Sequence, residues 1–190
     1  MGATRTDRFK SVLNTFPHVA QPFLQQLPRQ GGALSPKTCD ALMRLLNVSV
    51  EELMIRLLPL AKVFSKASVS NFHVGAVALA KGSSADGHMN LYVGANMEFE
   101  HLALNMSIHA EQAVAVNAWF HGAQLITSIA TSEPPCGYCR QFLQELCGSA
   151  DLKILKPDGE GHGHHVERLS ELFPVAFSPR DLGNDRGFMA

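Results

Sequence analysis

The sequence predicts an α/β layered domain preceded by a small helical segment. Three observations carry the prediction. Short apolar runs alternate with helical patterns from residue 71 to about 156. Two earlier stretches, 6–28 and 35–47, have apolar residues at helical spacing. Hydrophobic residues make up 46% of the 190 and charged residues 17%, enough to bury a substantial core.

The first helical stretch begins near RFKSVLNTF, and Gly31-Gly32 separates it from the second, where Ser35-Pro36 supplies an N-cap followed by proline at the first helical position. A third helix starts at Ser49, whose spacing to Glu52 matches a capping box, and it runs through EELMIRLLPLAKVF with a kink expected at Pro59. FHVGAVALA and LYVGANMEF flank the turn-rich KGSSADGHMN and read as a β-hairpin. A helix follows from Ser107 to about His121, then a strand in LITSIATS, a helix in CRQFLQELCG ending at Gly148, and a strand in DLKILKP. A short helix around ERLSELFP and an extended tail close the chain. The expected organisation is a helical segment over 1–48, a catalytic domain over 49–182 and a tail over 183–190.

A net charge of −1 creates no general field for polyanions, so neither nucleic acid nor a membrane surface is an expected partner. No stretch reaches the roughly 18 uninterrupted apolar residues of a membrane span. MGATRTDRFK lacks the apolar core of a signal peptide, and the expected setting is cytoplasmic. MGATRT fits a myristoylation pattern, but so short a pattern often arises by chance. Asn47-Val-Ser49 and Asn105-Met-Ser107 are glycosylation sequons that mean little without secretion.

The chemistry concentrates in two motifs. SIHAEQAVAVNAWF is an almost wholly apolar helical run with His109 and Glu111 at its start, and a carboxylate there is costly unless it has a partner. PPCGYCRQFLQEL places Cys136 and Cys139 where a strand gives way to a helix, and amide groups at such a start favour thiolates. Two thiolates two residues apart can share one metal ion, with His109 as a third ligand. Three protein ligands leave a fourth position open, as in catalytic rather than structural zinc. Glu111 would then take a proton from a metal-activated water and return it to a leaving group. His109-Ala110-Glu111, 23 further residues and then Pro135-Cys136-Gly137-Tyr138-Cys139 match the HxE and PCxxC signature of zinc deaminases.

Other readings of these residues are weaker. A thiol-disulfide pair would have no use for the upstream HxE. A closed structural site would need Cys147, about 12 Å from Cys139 along the same predicted helix. Cys39 and Cys147 read as buried apolar thiols. The tract GEGHGHH, with His162, His164 and His165, reads as a solvated loop. His101 and His121 read as structural or surface residues.

With these motifs in view, the chain resembles the cytidine deaminases of nucleoside salvage, in their larger bacterial and plant form. The resemblance runs from about residue 50 to 182 through LLPLAKVF, SNFHVGAV, GANMEF, SIHAEQAV, PPCGYCRQFLQEL and AFSPRDL. It implies a three-layer α/β/α fold around a five-stranded mixed sheet, and hydrolysis of cytidine and deoxycytidine to the uridines and ammonia. It implies Zn2+ on His109, Cys136 and Cys139, with Glu111 as proton shuttle. Asn96 and Glu98 match residues that hold the ribose 3′-hydroxyl, Phe72 an aromatic against the base, and Ala110 a backbone contact to the pyrimidine edge. Phe177 is a further pocket candidate, and Glu133-Pro134 lie where the family varies near the 5′-hydroxyl. A carboxylate at the 3′-hydroxyl favours a free nucleoside over a nucleotide or polynucleotide. The other alternative is a non-catalytic zinc-binding assembly module. The family's pocket is completed by a neighbouring subunit, so a homo-oligomer, most simply a homodimer, is expected. The larger form continues into a second, degenerate copy of the domain, whereas this sequence stops at Ala190.

Overall fold

The structure is a computed structural model, and it describes residues 4–82, 88–146, 148–159 and 163–184. Helix α1 spans Arg5–Leu13. Thr4 caps it, its Oγ1 accepting from the Asp7 amide at 3.2 Å while Asp7 accepts from the Thr4 amide at 3.1 Å. The helix expected over 6–28 is interrupted by turns after Asn14 and resumes only as α2, Gln21–Leu24. Pro17 explains the break: it has no amide proton and disfavours helical backbone at the residue before it. Strand β1 is the pair Ala33–Leu34, reached through Gly31 and Gly32 at φ 60° and 80°. Helix α3, Pro36–Leu46, starts at the Ser35 cap and ends at Asn47 in the left-handed region, φ 52°. Helix α4, Val50–Lys62, is capped by Ser49 and continues through Pro59.

The hairpin follows as β2, Gly75–Gly82, and β3, Met89–Ala95. Helix α5 is Ala110–Phe120, β4 Ala123–Thr131, α6 Gly137–Gln144, β5 Lys153–Pro157, β6 His164–Arg168 and α7 Leu169–Leu172. The sheet order is β1-β3-β2-β4-β5-β6; β4 and β5 are parallel and every other pair is antiparallel. The mixed sheet therefore has six strands where five were expected. The addition is β1, whose two residues pair with Leu91 and Tyr92 at the edge and are too few to show a strand period. His164 and His165, expected in a solvated loop, instead pair with Pro157 and Lys156 in β6. Cys147 and His162 lie outside the described residues.

Alternation along the strands explains the three layers. Val77, Leu91, Val93, Ala130 and Leu155 face a core shared with α1, α3 and α4. Their neighbours Ala76, Ala78, Tyr92, Ile129 and Ile154 face a second core with α5, α6 and α7. Side chains one residue apart in a strand point to opposite faces, so both faces are apolar and both must be covered. The N-terminal helices belong to the first of these cores. Among the described residues no helix is long and apolar enough to cross a membrane.

Topology also decides where chemistry collects. Because β3 and β4 both pair antiparallel with β2, their C-terminal ends and the N-terminal end of β2 share one end of the sheet. The segments leaving β3 and β4 lead into the starts of α5 and α6 at that same end. Ligand sites of open α/β sheets favour this end.

Candidate metal centre and substrate cavity

His109 is the N-cap of α5 and Cys136 the N-cap of α6, so both have extended backbones, φ −88° and −69°, outside their helices. Gln112 accepts from the His109 amide at 3.1 Å, which fixes the backbone of His109 at the helix start. Its Nδ1 lies 3.5 Å from Cys136 Sγ and 3.3 Å from Cys139 Sγ. Its Nε2 lies 3.1 Å from the Leu104 carbonyl. A carbonyl only accepts, so the proton sits on Nε2 and the Nδ1 lone pair faces the sulfurs. This is how metal-ligating histidines are commonly oriented.

All three donor atoms lie within 4.8 Å of one another. A tetrahedral centre with zinc–sulfur near 2.3 Å and zinc–nitrogen near 2.0–2.1 Å separates nitrogen from sulfur by about 3.6 Å. The His109–sulfur distances are close to that spacing, and the donor set fits zinc. The electrostatics agree. Burial, then the charges of Glu111 and Cys136, push the Cys139 thiol far up. Ionising this cluster calls for a cation between the donors, and a divalent ion reverses the local balance.

Glu111 sits in the first turn of α5, 4% exposed, hydrogen-bonded to Cys139. Burial raises its pKa above the ordinary 4.5. A carboxyl group that can hold a proton beside a metal centre is suited to acid–base work. Gly94 makes its placement possible. A Cβ there would lie 2.3 Å from the Val114 amide nitrogen and 2.8 Å from the Ala110 carbonyl, so α5 rests directly on β3.

Residues 48–154 match the family model described as the cytidine and deoxycytidylate deaminase zinc-binding region. The chain belongs to this deaminase family. Its curated relatives include the cytidine deaminase of Aliivibrio fischeri, 39% identical over 84% of this chain and 50% of that protein. That of Serratia proteamaculans is 36% identical over 92% of this chain and 57% of its own length. The chain thus spans half to three-fifths of the curated relatives it matches. The crystal structure of cytidine deaminase from Burkholderia pseudomallei is 26% identical with a TM-score of 0.53, covering 66% of this chain and 97% of that one.

Beside the three donors of this deaminase domain lies a cavity of about 380 Å³. Phe72, Asn96, Glu98 and Ala110 all line it, together with His109, Glu111, Glu133, Pro134 and Cys136. Phe177 does not; the residue is 52% exposed, and its carbonyl accepts from Gln141 at 2.9 Å. Lys62 pairs with Glu133 at 3.3 Å. Among the described residues, no lysine or arginine lines the cavity.

Asn96 and Glu98 do more than line this wall. Asn96 Oδ1 accepts from Ser65 Oγ at 2.5 Å and from the Val74 amide at 2.9 Å, and its Nδ2 donates to the Phe72 carbonyl at 2.9 Å. Ser65 gives its proton to Asn96, so its oxygen accepts from His73 Nδ1 at 3.0 Å. Glu98 accepts from the Val69 and Ser70 amides at 2.8 and 2.9 Å and from the Ser70 hydroxyl. Burial pushes its pKa up, but those bonds, aided by His73, outweigh it and hold the carboxyl below its usual range. Sequence reasoning missed Ser65, His73 and Ser70. They lie in the segment before β2, and only the fold brings them to the end of β3.

Proposed function

We propose that this domain hydrolyses cytidine and deoxycytidine, taking up water and releasing uridine or deoxyuridine and ammonia. One observation carries the reading: His109 Nδ1 stands within 3.5 Å of both sulfurs while Glu111 lies buried against Cys139 in the wall of the same cavity. His109, Cys136 and Cys139 hold zinc. When bound, zinc supplies a Lewis acid that brings the pKa of water toward neutrality. Glu111 takes the proton of the attacking water, protonates N3 of the base, and then passes a proton to the departing amine. The raised pKa of its buried carboxyl supports that sequence, because the group must hold a proton and release it.

Recognition follows from the lining. The Ala110 amide belongs to the first turn of α5, where amides have no intrahelical acceptor, so it can donate to the pyrimidine carbonyl. Phe72, half-exposed at the cavity, packs against the base. Asn96 keeps a second Nδ2 proton for the 3′-oxygen, and ionised Glu98 accepts from the 3′-hydroxyl. The carboxylates of Glu98 and Glu111, with no lysine or arginine among the described lining residues, support a free nucleoside over a nucleotide or polynucleotide. That substrate places the domain in pyrimidine salvage.

The reading includes a cytoplasmic setting, supported by the free thiols of Cys39, Cys136 and Cys139 among the described residues, which suit a reducing compartment. It also includes a homodimer, supported by the exposed apolar side chains of Phe72, Leu104, Met106 and Ile108 beside the site. Glu111→Ala tests the chemistry. The variant is expected to keep its zinc and lose about 10²- to 10⁴-fold in turnover; near-wild-type deamination of cytidine by that variant would refute the assigned role.

A further inference from the structure

Ser107 is 6% exposed, its hydroxyl has no hydrogen-bond partner among the described residues, and it lines the cavity. A buried hydroxyl without a partner is unfavourable, and one in a cavity wall is free to meet a ligand.

Strand register fixes what stands next to it. Past the end of β3, Met97 pairs antiparallel with Ile108: the Met97 amide donates to the Ile108 carbonyl at 2.9 Å and the Ile108 amide to the Met97 carbonyl at 3.0 Å. Stepping outward one residue on each side sets Glu98 opposite Ser107 and Asn96 opposite His109. These are non-hydrogen-bonded positions, where facing side chains approach most closely. Ser107 and His109 both have extended backbones, φ −78° and −88°, as the register requires. Met97, between Asn96 and Glu98, is 41% exposed and is not among the lining residues, while Ile108, between Ser107 and His109, also borders the cavity. Asn96, Glu98, Ser107 and His109 thus share the cavity face. Ser107 stands at its Glu98 end, away from the thiols. Glu98 already accepts from Val69 and Ser70, and no described residue uses the Ser107 hydroxyl beside it.

We infer that Ser107 Oγ hydrogen-bonds the 2′- or 3′-hydroxyl of the bound nucleoside, beside Glu98, and so contributes to substrate specificity. The inference rests on the nucleoside reading given above. It assigns Ser107 no part in the chemical step.

The test is Ser107→Ala with cytidine, 2′-deoxycytidine, 3′-deoxycytidine and 2′,3′-dideoxycytidine as substrates, with uridine binding by calorimetry in parallel. KM for cytidine and Kd for uridine are expected to rise roughly 2- to 12-fold, the span given by the net worth of one hydrogen bond, with kcat little changed. The penalty should vanish for whichever analogue lacks the hydroxyl that Ser107 meets, and for the dideoxynucleoside in any case. Ser107→Thr, which keeps a hydroxyl, should restore much of the affinity. Because the Ser107 hydroxyl has no partner among the described residues, the alanine variant should melt at or above the wild-type temperature and retain its zinc, whereas a purely structural serine would lower both. Unchanged KM and Kd, or a penalty equal across all four substrates, would overturn the inference. Wild-type protein that binds uridine without deaminating cytidine would refute the proposed activity yet leave this contact measurable. Wild-type protein that binds no nucleoside would refute both.

Discussion

Replacing Asn96 with alanine removes three hydrogen bonds at once. Its side chain is 9% exposed and joins Ser65, Val74 and Phe72, so the segment before β2 is fastened to the end of β3 through this one amide. Each bond contributes about 1 kcal/mol net, and buried partners left unpaired add to the loss, so about 3 kcal/mol is a reasonable floor. For a domain of this size, with about 2–4 °C of melting temperature per kcal/mol, that is a fall of about 6–12 °C. Asn96→Asp keeps both acceptor bonds but sets an oxygen against the Phe72 carbonyl, so it should not restore the wild-type value. Thermal unfolding of the zinc-loaded protein by circular dichroism reads the effect. An alanine variant melting within about 2 °C of wild type would refute the claim that Asn96 fastens the wall as well as lining it.

Three further outcomes follow from the same geometry. Gly94→Ala forces a Cβ to within 2.3 Å of the Val114 amide nitrogen, so it should displace α5 and reduce both soluble yield and zinc content, whereas Gly82→Ala, whose Cβ would meet only the Asn90 side-chain nitrogen at 3.6 Å, should spare the metal. Cys139→Ala removes the buried sulfur of the donor set, and bound zinc, measured by metal analysis, should fall from one per chain to near none. Glu98 has a folded pKa below its ordinary 4.5, so the stability it contributes is complete above that pH and is lost as pH falls through the folded value. Glu98→Gln should flatten that acid limb in denaturation experiments; an unchanged slope below pH 4.5 would contradict the hydrogen-bond account.

The candidate metal centre was legible in the sequence because its three donor residues come in two local motifs, each anchored by a helix start. Ser35 and Ser49 announced α3 and α4 by capping chemistry, and alternation announced the hairpin. Elements resting on tertiary pairing were not legible. Strand β1 has only two residues. Strand β6 is an edge strand whose His164, His165 and Val166 show no clean alternation, so its histidines read as a loop. The break after Asn14 depended on Pro17 overriding an otherwise helical pattern. Ser65, His73 and Ser107 carry no local signal at all, since a serine or histidine is defined as a wall residue only by what the fold sets opposite it. Asn96 and Glu98 entered through a family resemblance, and their bonds to Ser65 and Ser70 follow from coordinates alone.

The most direct measurement is ammonia release from cytidine by this 190-residue chain loaded with zinc, with metal content determined on the same sample. The account predicts one zinc per chain and one ammonia per uridine formed, with Glu111→Gln retaining the zinc and losing the turnover. One zinc per chain with no ammonia from either cytidine or deoxycytidine would contradict it.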